Sequence, residues 1–193
     1  GKISTQKLSE QMADSCRALC QEIIKWEGIQ CENLNLDSTV ITRYGEQEGA
    51  KKGYNPKKKG RLSHNPLIAF LTSGYVVNLW NRSGNTSSGQ NAKEFFHQTI
   101  LALGEQFSLR RVLCDSGYYL IDFMDYLENK GYSYIISVPI VAVVRKQVEQ
   151  ISDWKKIAEG IDVGEFEFMH ADSKWTKSRR YVVVRKQVKQ RPK

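Results

Sequence analysis

The chain has 193 residues, a formal net charge of +8 and 40% hydrophobic residues, enough for one well-buried domain with a small appendage. It has no low-complexity tract, no internal repeat, no apolar stretch long enough to cross a bilayer and no signal-peptide pattern. On those grounds a soluble intracellular protein without a membrane partner is the expectation.

Residues 1–30 read as an N-terminal helical segment. Leu8, Met12, Leu19 and Ile23 recur at near-helical spacing, Ser4 or Thr5 caps the start and Gly28 follows the end. The period then changes. From Asn33 to Val40 the apolar residues alternate, so Leu34, Leu36 and Val40 share one strand face and Asp37 points to the other. A carboxylate in mid-strand is unfavourable on propensity and asks for a reason.

Residues 45–65 read as a long loop, rich in Gly, Lys and Asn. Two apolar strands, Leu67–Thr72 and Tyr75–Trp80, join across Ser73-Gly74. A helix follows with Ala92, Phe95, Phe96, Thr99, Ile100 and Leu103 on one side, opened by a capping box of Asn91 and Glu94. Arg111–Cys114 is a short buried strand ending at Asp115-Ser116-Gly117. Leu120, Phe123, Met124 and Leu127 then line a helix closed by Gly131. Tyr132–Val138 is a strand stopped by Pro139, and Val141, Val144, Val148 and Ile151 have helical spacing. Beyond Ile151, alternating Phe166 and Phe168 and the strand-like Arg179–Val188 indicate a small β subdomain. Gly1 in place of Met and the abrupt end suggest a piece of a longer protein.

The order predicts an α/β fold, a mixed sheet of three antiparallel strands followed by βαβ units with helices packed on it. That is the ribonuclease-H-like order. It divides the chain into the helical segment 1–30, a core over 31–151 and the start of a β-rich insertion over 152–193.

The charge is unevenly placed. Between Arg43 and Arg61 seven basic residues (Arg43, Lys51, Lys52, Lys57, Lys58, Lys59 and Arg61) face two acids, Glu46 and Glu48. From Lys174 to Lys193 there are nine basic residues and no acid. One such run is as well read as a solvated surface; two point to a nucleic acid. The cysteines make no CxxC pair and the histidines no HExxH, so reduced, partly buried thiols are expected, with zinc at Cys16, Cys20 and Cys31 as the lesser alternative.

In an open α/β sheet functional residues gather at the carboxyl ends of parallel strands, which is where Asp115 falls. Alone, it reads equally as a cap for the next helix. Asp37 on a neighbouring strand changes the balance: two carboxylates from adjacent strands can share divalent ions, and oxygen ligands suit Mg²⁺ or Mn²⁺. Such ions activate a water or a 3′-hydroxyl for phosphoryl displacement. To this point nucleases and polynucleotidyl transferases fit equally.

Leu36-Asp37-Ser38-Thr39-Val40, then Tyr44-Gly45-Glu46-Gln47-Glu48-Gly49-Ala50 and Lys52-Gly53-Tyr54-Asn55-Pro56, resemble bacterial insertion-sequence transposases of the DDE group 1 type. So do Asn65-Pro66-Leu67, Gly84-Asn85 and Asp115-Ser116-Gly117-Tyr118. The resemblance runs from about residue 33 to the end. It implies metal-dependent nicking and strand transfer at transposon ends, a bacterial nucleoid-associated location, and action as a DNA-bound multimer on transposon ends and target. It maps two of the three acids onto Asp37 and Asp115.

The third acid of this family lies on a helix after a β-rich insertion, which places it beyond Lys193, and on that reading the chain is a catalytic-domain fragment inactive alone. Glu149, 34 residues after Asp115, is the rival, at a spacing that resembles relatives lacking the insertion. Asn85 and the Lys57, Lys58, Lys59 and Arg61 cluster are candidate DNA contacts, and Trp154 or Trp175 is either a base-stacking or a packed residue. His64 has no evident partner. Two alternatives stand beside the transposase reading: a nuclease or integrase complete within the chain through Glu149, and a non-catalytic DNA-binding remnant.

Overall fold

The structure, a computed structural model, describes residues 5–56, 58–172 and 174–187. Ser4, Lys57 and the end of the second basic run therefore lie outside the described residues, as does the side chain of Leu8. The chain forms two units, residues 1–138 and 139–193.

In the first unit the elements are α1 (Thr5–Trp26), β1 (Cys31–Ser38), β2 (Ile41–Thr42), β3 (Lys51–Lys52), β4 (Leu62–His64), β5 (Leu67–Leu71), β6 (Val76–Trp80), α2 (Ala92–Leu103), β7 (Ser108–Cys114), a 3₁₀ turn (Ser116–Tyr118), α3 (Ile121–Asn129) and β8 (Tyr134–Ile136). The main sheet has the order β6-β5-β1-β7-β8. β1 runs antiparallel to β5 and parallel to β7, and β7 is parallel to β8. Three antiparallel strands followed by two parallel ones, with a helix crossing between β7 and β8, make the ribonuclease-H-like fold.

The alternation in the sequence is what builds this sheet. Leu34 of β1 pairs across with Leu71 of β5 on one side and Val112 of β7 on the other, and all three are buried. Leu36 and Ala69 repeat the pattern one pair along. Phe95, Phe96, Phe123, Met124 and Leu127 of α2 and α3 complete the core. Phe96 sits edge-on to Phe123, Tyr126 and Tyr132, with ring centroids 6.2, 6.2 and 5.1 Å away. Polar groups tie α2 to β6: Asn78 Nδ2 donates to Gln98 Oε1 and Thr99 Oγ1, and Trp80 Nε1 donates to Gln98 Oε1.

Several local expectations change. In α1 the buried residues are Cys20 and Ile24, while Met12 and Leu19 are exposed. The helix packs on β6 and α2, where the Gln21 amide donates to the Ala102 carbonyl, and that contact selects the face a quarter-turn from the most apolar stripe. Asn91 makes no capping bond; it has a left-handed backbone, φ 60°. β1 stops at Ser38, short of Val40. Ile100 is only half-buried, and Leu120 precedes α3 and is exposed. Residues 45–65 are not a plain loop, because β2, β4 and β3 form a second small sheet in that order. Strands of two or three residues are too short to show a period.

The second unit holds α4 (Ala142–Glu149), β9 (Lys155–Ala158), β10 (Ile161–Phe168) and β11 (Arg179–Lys186). Val144 is buried, whereas Val141 and Ile151 flank the helix instead of lying in it. The three strands make an antiparallel sheet, β11-β10-β9. Ile151 and the Trp154 ring pack against the backbone of Gly164 so closely that a Cβ there would lie 2.7 Å from Ile151 Cγ2. Trp154 donates its indole N–H to the Ile151 carbonyl and carries Arg185 on its face. Trp175 lies against His170 and Arg179. Both tryptophans are half-buried. No helix among the described residues is long and apolar enough to cross a membrane.

Candidate functional site

Parallel pairing of β1 with β7 sets Leu36 opposite Cys114, so the next residue on each strand is an aspartate. Asp37 and Asp115 therefore stand side by side at the carboxyl ends of neighbouring strands, whose axes are about 4.8 Å apart. Both are exposed. Asp37 Oδ1 accepts the Ser38 N–H at 2.7 Å, and Asp115 Oδ1 accepts the Gly117 N–H at 2.9 Å, capping the 3₁₀ turn. One oxygen of each carboxylate is thus held by the adjoining backbone. Among the described residues no group of three or more His, Cys, Asp or Glu side chains could hold a metal. Glu149 is exposed at the end of α4 in the second unit.

Beneath the pair the groups are neutral. Burial, then the nearby Asp115 and Asp37 charges, push the Cys114 thiol far above its ordinary range, although a backbone hydrogen bond from Leu36 opposes them. Burial also raises the Tyr118 phenol, which is fully enclosed and feels Cys114, Asp115 and Asp37, with Arg82 pulling the other way. Both shifts keep these two groups protonated near neutral pH.

The polar stretch after β6 forms a wall beside the pair. Arg82 is half-buried, and burial lowers its pKa while Tyr118 opposes the shift. Its Nε donates to the Asn65 carbonyl at 3.0 Å, and its Nη1 to the Ser87 and Gln90 carbonyls at 3.1 and 2.8 Å. Ser88, between those last two, meets Ser38 hydroxyl to hydroxyl at 2.7 Å.

The same stretch touches the small sheet. A Cβ on Gly53 would lie 1.8 Å from the Gly84 carbonyl oxygen and 2.7 Å from Asn85 Cα, and one on Gly84 would lie 2.6 Å from the Lys51 carbonyl oxygen. Three backbones meet where no side chain fits, which is why Gly53 and Gly84 stand in the sequence. Gly53→Ala is expected to destabilise the unit by about 1–3 kcal/mol, the usual cost of overpacking, measured by denaturant titration; a neutral effect would contradict this packing.

Lys51 and Lys52 are exposed on β3, an edge of the small sheet, beside exposed Asn85, whose Oδ1 accepts from Ser83 Oγ. Lys58, Lys59 and Arg61 are exposed on the turn leading into β4. Arg43 is different: it is half-buried, and its Nε donates to His64 Nδ1 at 2.9 Å. His64 does have partners. With Nδ1 accepting, its Nε2 carries the proton and donates to the Glu48 carbonyl at 3.0 Å, so the ring cross-links the small sheet.

Nothing in the sequence pattern marks Arg82 or Ser88 or gives His64 its role, and Tyr118 stands out there only as the end of Asp115-Ser116-Gly117-Tyr118. Gly84 and Gly89 around a polar run were the available signal, since glycine marks close backbone approach.

The family model described as Transposase DDE domain group 1 matches residues 3–192. No curated protein matches the sequence. Similar solved structures include a piggyBac transposase synaptic complex with hairpin DNA, 13% identical over 70% of this chain and 30% of that one, TM-score 0.44. The Mos1 transposase paired-end complex with left transposon end is 12% identical over 69% and 43%, TM-score 0.39. The Mos1 mariner paired end complex with Mn is 14% identical over 65% and 42%, TM-score 0.35. The chain spans less than half the length of each.

Proposed function

Since the chain belongs to the family of transposase DDE domains of group 1, we propose that Asp37 and Asp115 together hold a divalent cation, Mg²⁺ or Mn²⁺, for nicking and joining DNA strands at transposon ends. The observation that carries this reading is the parallel register that sets two exposed carboxylates side by side at strand ends. Paired carboxylate oxygens with no competing cation among their described hydrogen bonds suit a hard dication.

A bound ion would supply activation of the attacking oxygen and neutralisation of charge at the phosphate. The chain's own residues do the rest. The Ser38 and Gly117 amides orient one oxygen of each aspartate. Cys114 and Tyr118 keep their protons and stay out of acid–base exchange. Nicking breaks a phosphodiester P–O bond with water, freeing a 3′-hydroxyl and leaving a 5′-phosphate, and in joining that hydroxyl forms a new P–O bond to a target phosphorus while the target's own 3′-oxygen leaves and takes up a proton.

DNA is the partner in this reading, held as a multimeric assembly on transposon ends and target. Lys51, Lys52, Lys58, Lys59, Arg61 and Asn85 line its approach, Lys57 belongs to the same run, and Arg43 supports the surface from within. Replacing Lys51 and Lys52 by Ala is expected to weaken duplex binding and lower the slope of log K against log salt by about 1 per lysine. Fluorescence anisotropy over a salt series measures it, and an unchanged slope removes these lysines from the interface.

Cleavage of labelled duplex DNA in Mg²⁺ or Mn²⁺, abolished by EDTA and by Asp37→Asn, tests the function, with the chain alone and with the chain extended past Lys193 to its third acid; no metal-dependent cleavage by either contradicts it. Glu149→Gln in the same assay tests the third acid. A loss equal to that of Asp37→Asn identifies Glu149, and unchanged cleavage excludes it.

A further inference from the structure

Ser88 touches both turns that carry the aspartates. Its Oγ lies 2.7 Å from Ser38 Oγ, next to Asp37. On the other side it closes on Gly117, where an added Cβ would stand 2.6 Å from Ser88 Cβ and 3.0 Å from Ser88 Oγ. The Gly117 amide is the donor to Asp115 Oδ1. Gly89 continues the contact, since a Cβ there would lie 2.7 Å from the Gly117 carbonyl oxygen. The Ser88-Gly89 tip is thus wedged between the two acid turns, which are linked otherwise through the β1–β7 ladder ending at Leu36 and Cys114.

Arg82 holds that tip. A single guanidinium nitrogen, Nη1, bonds the carbonyls on either side of it, Ser87 and Gln90, while Nε anchors to Asn65. Nη2 and the Tyr118 hydroxyl are both buried without a hydrogen-bond partner among the described residues, so the guanidinium is buried at one nitrogen and grips the loop with the other two. Lysine, whose three N–H donors all sit on one nitrogen, cannot reproduce a grip that uses both Nε and Nη1.

We propose that Ser88, held in place by Arg82, is a positioning residue that sets the spacing of the Asp37 and Asp115 turns. The claim about spacing stands on the contacts alone. Its consequence for ion binding rests on the metal-pair reading above.

The test is amide hydrogen exchange on the full 193-residue chain without metal, for Ser88→Ala and Arg82→Gln. Exchange at the Ser38 and Gly117 amides is expected to accelerate about fivefold to tenfold, the factor that follows from losing one hydrogen bond. The Val112 amide, bonded to the Ser133 carbonyl away from the loop, should keep its rate. Unchanged rates at Ser38 and Gly117, or an equal acceleration at Val112, overturn the proposal. A Mn²⁺ titration followed by electron paramagnetic resonance adds the second readout. Ser88→Ala should weaken binding by the same factor, and unchanged affinity in a wild type that binds Mn²⁺ through Asp37 overturns the proposal. If the wild type and Asp37→Asn bind Mn²⁺ alike, the metal reading fails, and the exchange rates alone decide the positioning role.

Discussion

In a protein that carries its third acid, Asp37→Asn and Asp115→Asn are each expected to lower metal-dependent DNA cleavage by about three orders of magnitude, the equivalent of losing several kcal/mol of charge stabilisation at the phosphate. The same substitutions should leave the fold intact. Both side chains are exposed, and asparagine keeps an Oδ1 to accept from the Ser38 and Gly117 amides. Exposed changes of this kind cost within about 0.5 kcal/mol, so the melting temperature should stay within about 2 °C. A gel assay of strand cleavage beside a thermal melt separates the two effects. Retained cleavage in either variant contradicts the assignment, and a large drop in melting temperature contradicts the structural account of the carboxylates.

Phe96→Ala is expected to cost about 3–5 kcal/mol. Phe96 is fully buried where α2 meets α3, and three aromatic rings stand edge-on to it. Truncation removes its buried apolar surface and opens a cavity bounded by rigid rings, which relax poorly into the space. The melting temperature should fall on the order of 10 °C for a chain this size. Denaturant titration measures the loss, and one under about 1 kcal/mol would show that α2 and α3 do not pack around this ring.

How much of this was legible in the sequence differs by element. The strands of the main sheet were, because Leu34, Leu36, Leu67, Ala69 and Leu71 alternate and a half-buried strand imposes that period. The aspartate pair was legible too: a strand ending in Asp-Ser-Gly before a helical stretch has few readings, and the parallel register did the rest. The small β2-β4-β3 sheet was hidden because it is held by side chains distant in sequence. The Asn55 amide reaches Thr42 and its carbonyl the Lys58 amide, while His64 spans Arg43 and Glu48. No periodicity records such links. The α1 stripe misled because an amphipathic helix with two apolar faces is oriented by its neighbours, here β6 and α2. Arg82 and Ser88 were hidden for a related reason. Their importance lies in which carbonyls and turns they meet, and a polar run between a strand and a helix carries no trace of that.

The central claim is that Asp37 and Asp115 bind one divalent ion between them. Crystals of the chain soaked in Mn²⁺ and measured at the manganese absorption edge test it most directly. The account predicts an anomalous peak within about 2.0–2.4 Å of a carboxylate oxygen of both aspartates, the range of hard-cation coordination. A peak bound by only one of them, or none at the ends of β1 and β7, would contradict it.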